Sequence, residues 1–165
     1  MKTKFDPTRP ALKIMNPNKD DFSIRPDWMK PRIPKGDYTV AFKSYQTERF
    51  YRGGAPKLVI NFHVIDRGEF FETPLQRYYQ VSEIGKTPKK KGFFKAKGQS
   101  SHFIMEYVNC FGILPRRLDQ VPMDVWKKHA FKARVKDVAW TANQDNLHQM
   151  LRYSVIEKIL GTTEL

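Results

Sequence analysis

This chain of 165 residues has one cysteine, Cys110, and four scattered histidines, His63, His102, His129 and His148. A single thiol excludes an internal disulfide framework and is too few for a cysteine zinc site. No histidine pair has HxxxH or HExxH spacing, so no structural metal and no cofactor is expected. Cys110 reads as a small apolar residue on a helix. Long apolar runs are also missing: none nears the roughly 18 residues of a membrane span. Met1 to Phe5 lacks the apolar stretch of a signal peptide, and no basic amphipathic helix suits a membrane surface. A cytoplasmic protein that avoids membranes is expected.

Acidic residues are scarce as well. Thirty Lys and Arg face 17 Asp and Glu, a formal net charge of +13. Such a charge leaves the fold open but predicts attraction to polyanions, nucleic acid being the commonest. The scarcity of acids argues against a nuclease, whose metals need clustered carboxylates. Pro26-Asp27 followed by Lys30 faintly matches a metal-dependent nuclease, but no Asp or Glu stands two residues before a Lys to complete it. Gly85-Lys86-Thr87 has the ending of a phosphate-binding P-loop. That loop needs glycine at position 80, which is Gln, and Pro88 replaces the start of its helix. With no nucleophile–base pair visible, no catalytic residue is assigned and no enzyme is expected.

Apolar residues make up 40% of the chain and aromatics 13%, enough for a folded core. Six of the 11 prolines lie within residues 1–35, where nine basic residues face four acidic ones. Proline fixes φ and lacks a backbone donor, so this stretch reads as an extended arm, with Phe22, Ile24 and Trp28 able to dock. Residues 36–165 read as one domain.

From Gly36 the period changes to that of strands. Tyr38, Val40 and Phe42 alternate with polar neighbours in a strand running to about Tyr51, before a turn at Arg52-Gly53-Gly54-Ala55-Pro56. Leu58, Ile60, Phe62 and Val64 fall on one face of a second strand, Val59, Asn61, His63 and Ile65 on the other. A third strand lies within 70–81, where Pro74 predicts an edge, a bulge or a late start. Residues 82–98 form a basic loop with six lysines and one acid. A helix is predicted from about Gln99 to Phe111, capped by Ser100 or Ser101, with a stripe of Phe103, Ile104, Tyr107, Val108 and Phe111. Gly112 and Pro115 end it. Pro122–Lys128 reads as a further short helical turn. Phe131, Ala133 and Val135 mark a fourth strand reaching Trp140, which reads first as a core anchor. The last strand, about 151–159, alternates in two registers, and the sequence leaves both open.

Five strands with a helix between the third and fourth fit a closed five-stranded OB-type barrel. A split sheet packed on one helix is the alternative. The chain resembles the small OB-fold single-stranded DNA-binding proteins encoded by phages and plasmids. The matching pieces are Ile33-Pro34-Lys35-Gly36-Asp37-Tyr38-Thr39-Val40, Lys57-Leu58-Val59-Ile60-Asn61-Phe62-His63-Val64 and Tyr153-Ser154-Val155-Ile156-Glu157-Lys158-Ile159, across most of 33–160. The housekeeping bacterial members end in a flexible acidic tail that recruits partners. Here Thr162-Thr163-Glu164-Leu165 follows shortly after the last strand. The resemblance therefore implies a phage or plasmid protein acting in replication or recombination, in a bacterial host cytoplasm, with replication or recombination proteins as further partners.

Single-strand binders combine a positive groove for phosphates with aromatic faces for bases. Three clusters mix these ingredients. Lys43, Tyr45, Arg49, Tyr51, Arg52 and Lys57 lie along the first hairpin, and His63 shares a strand face with Asn61. Arg77 and Tyr78 lie on the third strand. Lys89, Lys90, Lys91, Phe93, Phe94, Lys95 and Lys97 lie in the basic loop. Each has a plainer reading: a solvated charge run, tyrosines packed on the arm or helix, a surface histidine. RNA binding on the same fold, or an adaptor or inhibitor that covers an acidic protein, would also use this charge.

Overall fold

The computed structural model describes residues 26–49, 53–141 and 143–164. Six strands, β1 (Gly36–Glu48), β2 (Lys57–Val64), β3 (Pro74–Ile84), β4 (Phe94–Ala96), β5 (Ala130–Val138) and β6 (Tyr153–Thr163), form one antiparallel sheet. Their order is β4-β3-β2-β1-β5-β6. One α-helix, α1 (His102–Phe111), lies between β4 and β5. The fold is mainly β, as expected, but the five-stranded closed barrel must be corrected.

The extra strand, β4, falls inside what the sequence presents as a loop. Phe94 and Ala96 turn inward and Lys95 outward, an alternation only three residues long and hidden among lysines. Nor does a backbone ladder close the sheet. It curls until β3 lies beside β6, yet neither strand hydrogen-bonds to the other. Other groups fill that seam. At one end the Ser154 N–H donates to the Pro31 carbonyl at 2.9 Å, and the Ile33 N–H donates to Ser154 Oγ at 2.9 Å. At the other end the Glu106 carboxylate of α1 accepts from the Ile159 N–H at 3.2 Å and from the Tyr79 hydroxyl at 2.6 Å.

The end of the arm therefore belongs to the packed body. Ile33 is buried, and Arg32 holds Asp137 at 3.0 Å. Trp28 does not dock: it is 78% exposed. Phe22 and Ile24 lie outside the described residues.

The strand periods follow the sequence closely. Leu58, Ile60, Phe62 and Val64 are buried on the inner face of β2, facing Val40 of β1 and Leu75 and Tyr79 of β3. Pro74 opens β3, where the ladder does not need its missing N–H. β5 buries Phe131, Ala133 and Val135 and exposes Lys132, Arg134 and Lys136. β6 resolves its ambiguous register by breaking it. The pairing shifts between Arg134 and Val135, so Ser154, Val155 and Ile156 are buried in succession while Glu157 and Lys158 face outward.

Helix α1 starts later than Gln99, because Ser101 is still extended and serves as its N-cap. Gly112, at φ +67°, ends it in the left-handed region that glycine adopts without a Cβ penalty. Phe103, Ile104 and Tyr107 bury its apolar stripe. Below it, Trp126 from a 3-10 turn at Asp124–Lys128 is fully buried. Its ring lies 4.9 Å from Phe131, 5.2 Å from Phe111 and 6.0 Å from Phe62. The Phe111 and Phe62 pairs are edge-to-face and the Phe131 pair is tilted, and aromatic pairs of this kind add about 0.5–1.5 kcal/mol each beyond the area they bury. The indole N–H has no hydrogen-bond partner among the described residues.

Candidate nucleic-acid interface

β1 carries the main irregularity of the sheet. Its register with β2 shifts between Phe42 and Ser44, leaving Lys43 as an extra residue. Such a bulge bends the strand and re-aims its side chains. Beyond it Tyr45 pairs with Ile60 and lies at the rim of the core, 37% exposed, its ring edge-on to Phe94 at 6.2 Å.

The lysine loop is folded against this tyrosine. Its base is tied by the Gly85 N–H donating to the Phe93 carbonyl at 2.9 Å, and its tip is a 3-10 turn at Pro88–Lys90. Gly85 has no room for a side chain: a Cβ there would meet the Lys90 carbonyl oxygen at 1.9 Å. Gly92, at φ +81°, lies against the Tyr45 ring, which a Cβ would touch at 3.7 Å. Lys86, Lys89, Lys90 and Lys91 are all exposed around this closed loop. Phe93 is 36% exposed, with Lys90 Nζ 6.0 Å from its ring centre.

A groove of about 610 Å³ runs beside Tyr45, between Phe42–Tyr45 on one side and Gln120–Asp124 with Lys127 on the other. Lys127 pairs with Asp124 at 2.8 Å, an exposed contact worth little in water. The structure thus places Lys43, Tyr45 and Lys127 along one groove, and the lysine loop meets Tyr45 through Gly92. Lys127 went unnoticed in the sequence, since nothing in the chain order connects it to Tyr45.

The outer face of β1, β2 and β3 holds a second set. Asn61 donates to Ser44 Oγ at 3.0 Å, Gln76 donates to Asn61 Oδ1 at 3.0 Å, and the Tyr78 hydroxyl donates to Gln76 Oε1. Lys30 Nζ donates to the Tyr78 hydroxyl at 2.6 Å and lies 4.8 Å from the Tyr153 ring centre. Burial, then the Glu48 charge, pushes the Tyr78 phenol up to about 12. His63 and Lys57 are half-buried on this face. Sequence reasoning did not find Ser44, Gln76, Lys30 or Tyr153, because strand register brings Ser44 and Gln76 to Asn61, and tertiary packing alone sets Lys30 against Tyr78 and Tyr153.

Two expected residues are engaged elsewhere. Arg77 points inward and pairs with Glu106 through Nε and one terminal guanidinium nitrogen. Burial opposes its charge most strongly, but the hydrogen bonds and charges of Glu106 and Tyr79 together outweigh burial and raise its pKa. Phe94 is only 6% exposed, its ring 5.4 Å from Phe103, so it offers no face to a base. Arg49 donates to the Gly54 carbonyl at 2.9 Å and braces the first hairpin. Lys95 and Lys97 are exposed on and after β4. Tyr51 and Arg52 lie outside the described residues.

Trp140 is no core anchor. It is 60% exposed on the β5–β6 connection, where Asn146 bridges back to it. Among the described residues no three His, Cys, Asp or Glu side chains are gathered to hold a metal, and no helix is long and apolar enough to cross a membrane. No family model, curated protein or solved structure is matched by this chain.

Proposed function

We propose that this protein binds single-stranded DNA in the groove beside Tyr45, in support of replication or recombination of a phage or plasmid. One observation carries the reading: a closed loop of exposed lysines is folded onto a half-exposed tyrosine at the edge of a groove. Phosphates would be met by Lys43, Lys86, Lys89, Lys90, Lys91 and Lys127. Bases would stack on Tyr45 and Phe93. Each stacked base contributes about 1–3 kcal/mol and tolerates any sequence. The order of strands around one helix supports reading this sheet as an OB-type barrel opened at its β3–β6 seam, and the choice of DNA over RNA follows the family resemblance.

The test is a fluorescence-anisotropy titration of labelled oligo-dT, its duplex and an RNA counterpart at two salt concentrations. Preference for the DNA strand is expected, with affinity falling steeply as salt rises. Each phosphate neutralised contributes about −0.7 to the log–log salt slope for single strands. Changing Lys89, Lys90 and Lys91 to Glu should flatten that slope by about 2, and Tyr45→Ala should weaken binding with little change in slope. Equal, weak binding to all three ligands would sink the proposal and leave only generic attraction.

A further inference from the structure

Among the described residues, only half of β1 has a strand on both sides. From Gly36 to Ala41 it pairs with β5, and from Ser44 to Glu48 its only strand partner among the described residues is β2. β5 begins at Ala130, opposite Ala41, and Gln120–Lys127 stands away across the groove. Among the described residues no backbone hydrogen bond joins that segment to β1. In an antiparallel ladder alternate residues turn both N–H and C=O to the same side. The groove beside Tyr45 therefore opens onto a strand edge where alternate residues between Ser44 and Glu48 present main-chain donors and acceptors.

We infer that this free edge of β1 hydrogen-bonds the Watson–Crick edges of unpaired bases. The inference rests on the groove proposed above. A base laid against Tyr45 would take water away from the edge, and a buried backbone amide left without a partner is costly. The base itself supplies the replacement, since its Watson–Crick edge sets donors beside acceptors. In a duplex those edges are already occupied, so the same contacts reject double strands. Reading by main chain also leaves side chains such as Lys43 free for phosphates. An extended peptide could pair with such an edge, but the lysines around the groove and the face of Tyr45 favour a stacked polyanion.

The test compares oligo-dT with the same strand methylated at N3 of every thymine. That change removes the Watson–Crick donor and keeps the phosphates and stacking rings. The methylated strand should bind the full chain at least about tenfold more weakly. Amide hydrogen exchange separates lost pairing from added bulk: Ser44–Glu48 should gain protection with oligo-dT and none with an abasic strand of equal length. Equal affinity for both thymine strands, or no protection of Ser44–Glu48, overturns the edge reading alone. No binding of unmodified oligo-dT overturns the groove proposal beneath it.

Discussion

The Tyr79 hydroxyl donates to the Glu106 carboxylate at 2.6 Å, across the boundary between β3 and α1. The same carboxylate accepts from Arg77 of β3 and from the Ile159 N–H of β6. One helical side chain thus does for the β3–β6 seam what a ladder of backbone bonds does in a closed barrel. Glu106 is almost fully buried, and these donors supply the hydrogen bonds that water would otherwise give its carboxylate.

Removing one partner of a buried pair leaves the other uncompensated, at about 3–5 kcal/mol. Glu106→Ala should lose that much in urea denaturation. Glu106→Gln keeps the shape and part of the hydrogen bonding and should lose less, about 1–3 kcal/mol. Replacing Arg77 and Glu106 together by Met and Leu should cost less than Glu106→Ala alone, because no buried charge is stranded. A Glu106→Ala loss under about 1 kcal/mol would mean that packing, not the carboxylate, holds the seam.

Stability should fall at alkaline pH. Burial raises the Tyr79 phenol well above its usual value, with the Glu106 charge adding to it, and Tyr78 is raised to about 12. The Cys110 thiol is also raised to about 12, by burial first and then by Glu106. The folded chain keeps these protons where the unfolded chain releases them, so unfolding is favoured as pH rises. The stabilisation is complete below the unfolded values, near 9 for the thiol and 10 for the phenols, and is lost progressively above them. Urea midpoints from pH 8 to 12 should show it. Tyr79→Phe should reduce the slope above pH 10 by about one proton, roughly 1.4 kcal/mol per pH unit. An unchanged slope would mean that Tyr79 ionises freely in the folded chain.

What the sequence made legible, and what it hid, divides along a physical line. The inner faces of β2 and β5 were readable, because alternation is local and each strand buries one face. The helix stop at Gly112 was readable as well, whereas Ser101, one of the two expected caps, stands at the N-cap position without a side-chain cap hydrogen bond and donates to the Gly98 carbonyl instead. β4 was not, since three residues are too few to show a period. The bulge at Lys43 and the register break in β6 were hidden too, because cross-strand pairing decides both. The site follows this division. Lys43, Tyr45, Lys89 and Phe93 stood out by residue type, but the meeting of Lys43 and Tyr45 with Lys127 depends on chain distant in sequence. Arg77 shared the chemistry of the others, and only the tertiary position of Glu106 turns it inward. Composition also did not show that Ile33, within the expected arm, is buried against the sheet.

Gly85 links the lysine loop to the proposed groove in a way that needs no charge change. A Cβ there would stand 1.9 Å from the Lys90 carbonyl oxygen and 2.7 Å from its carbon. Backbone has to move, and the Gly85–Phe93 hydrogen bond that ties the loop is the nearest thing to give. Gly85→Ala should therefore open the loop with every lysine in place. Trypsin should cut at Lys89–Lys91 faster than in the wild type, while the unfolding free energy from urea denaturation falls by no more than the cost of one loop, about 1–3 kcal/mol. Gly98→Ala is the control, because nothing lies within 4 Å of its added carbon. If loop geometry matters as well as charge, Gly85→Ala should also weaken oligo-dT binding without flattening its salt slope. Faster trypsin cleavage with unchanged binding would show that the lysines act as diffuse charge and that their closure onto Tyr45 serves packing alone.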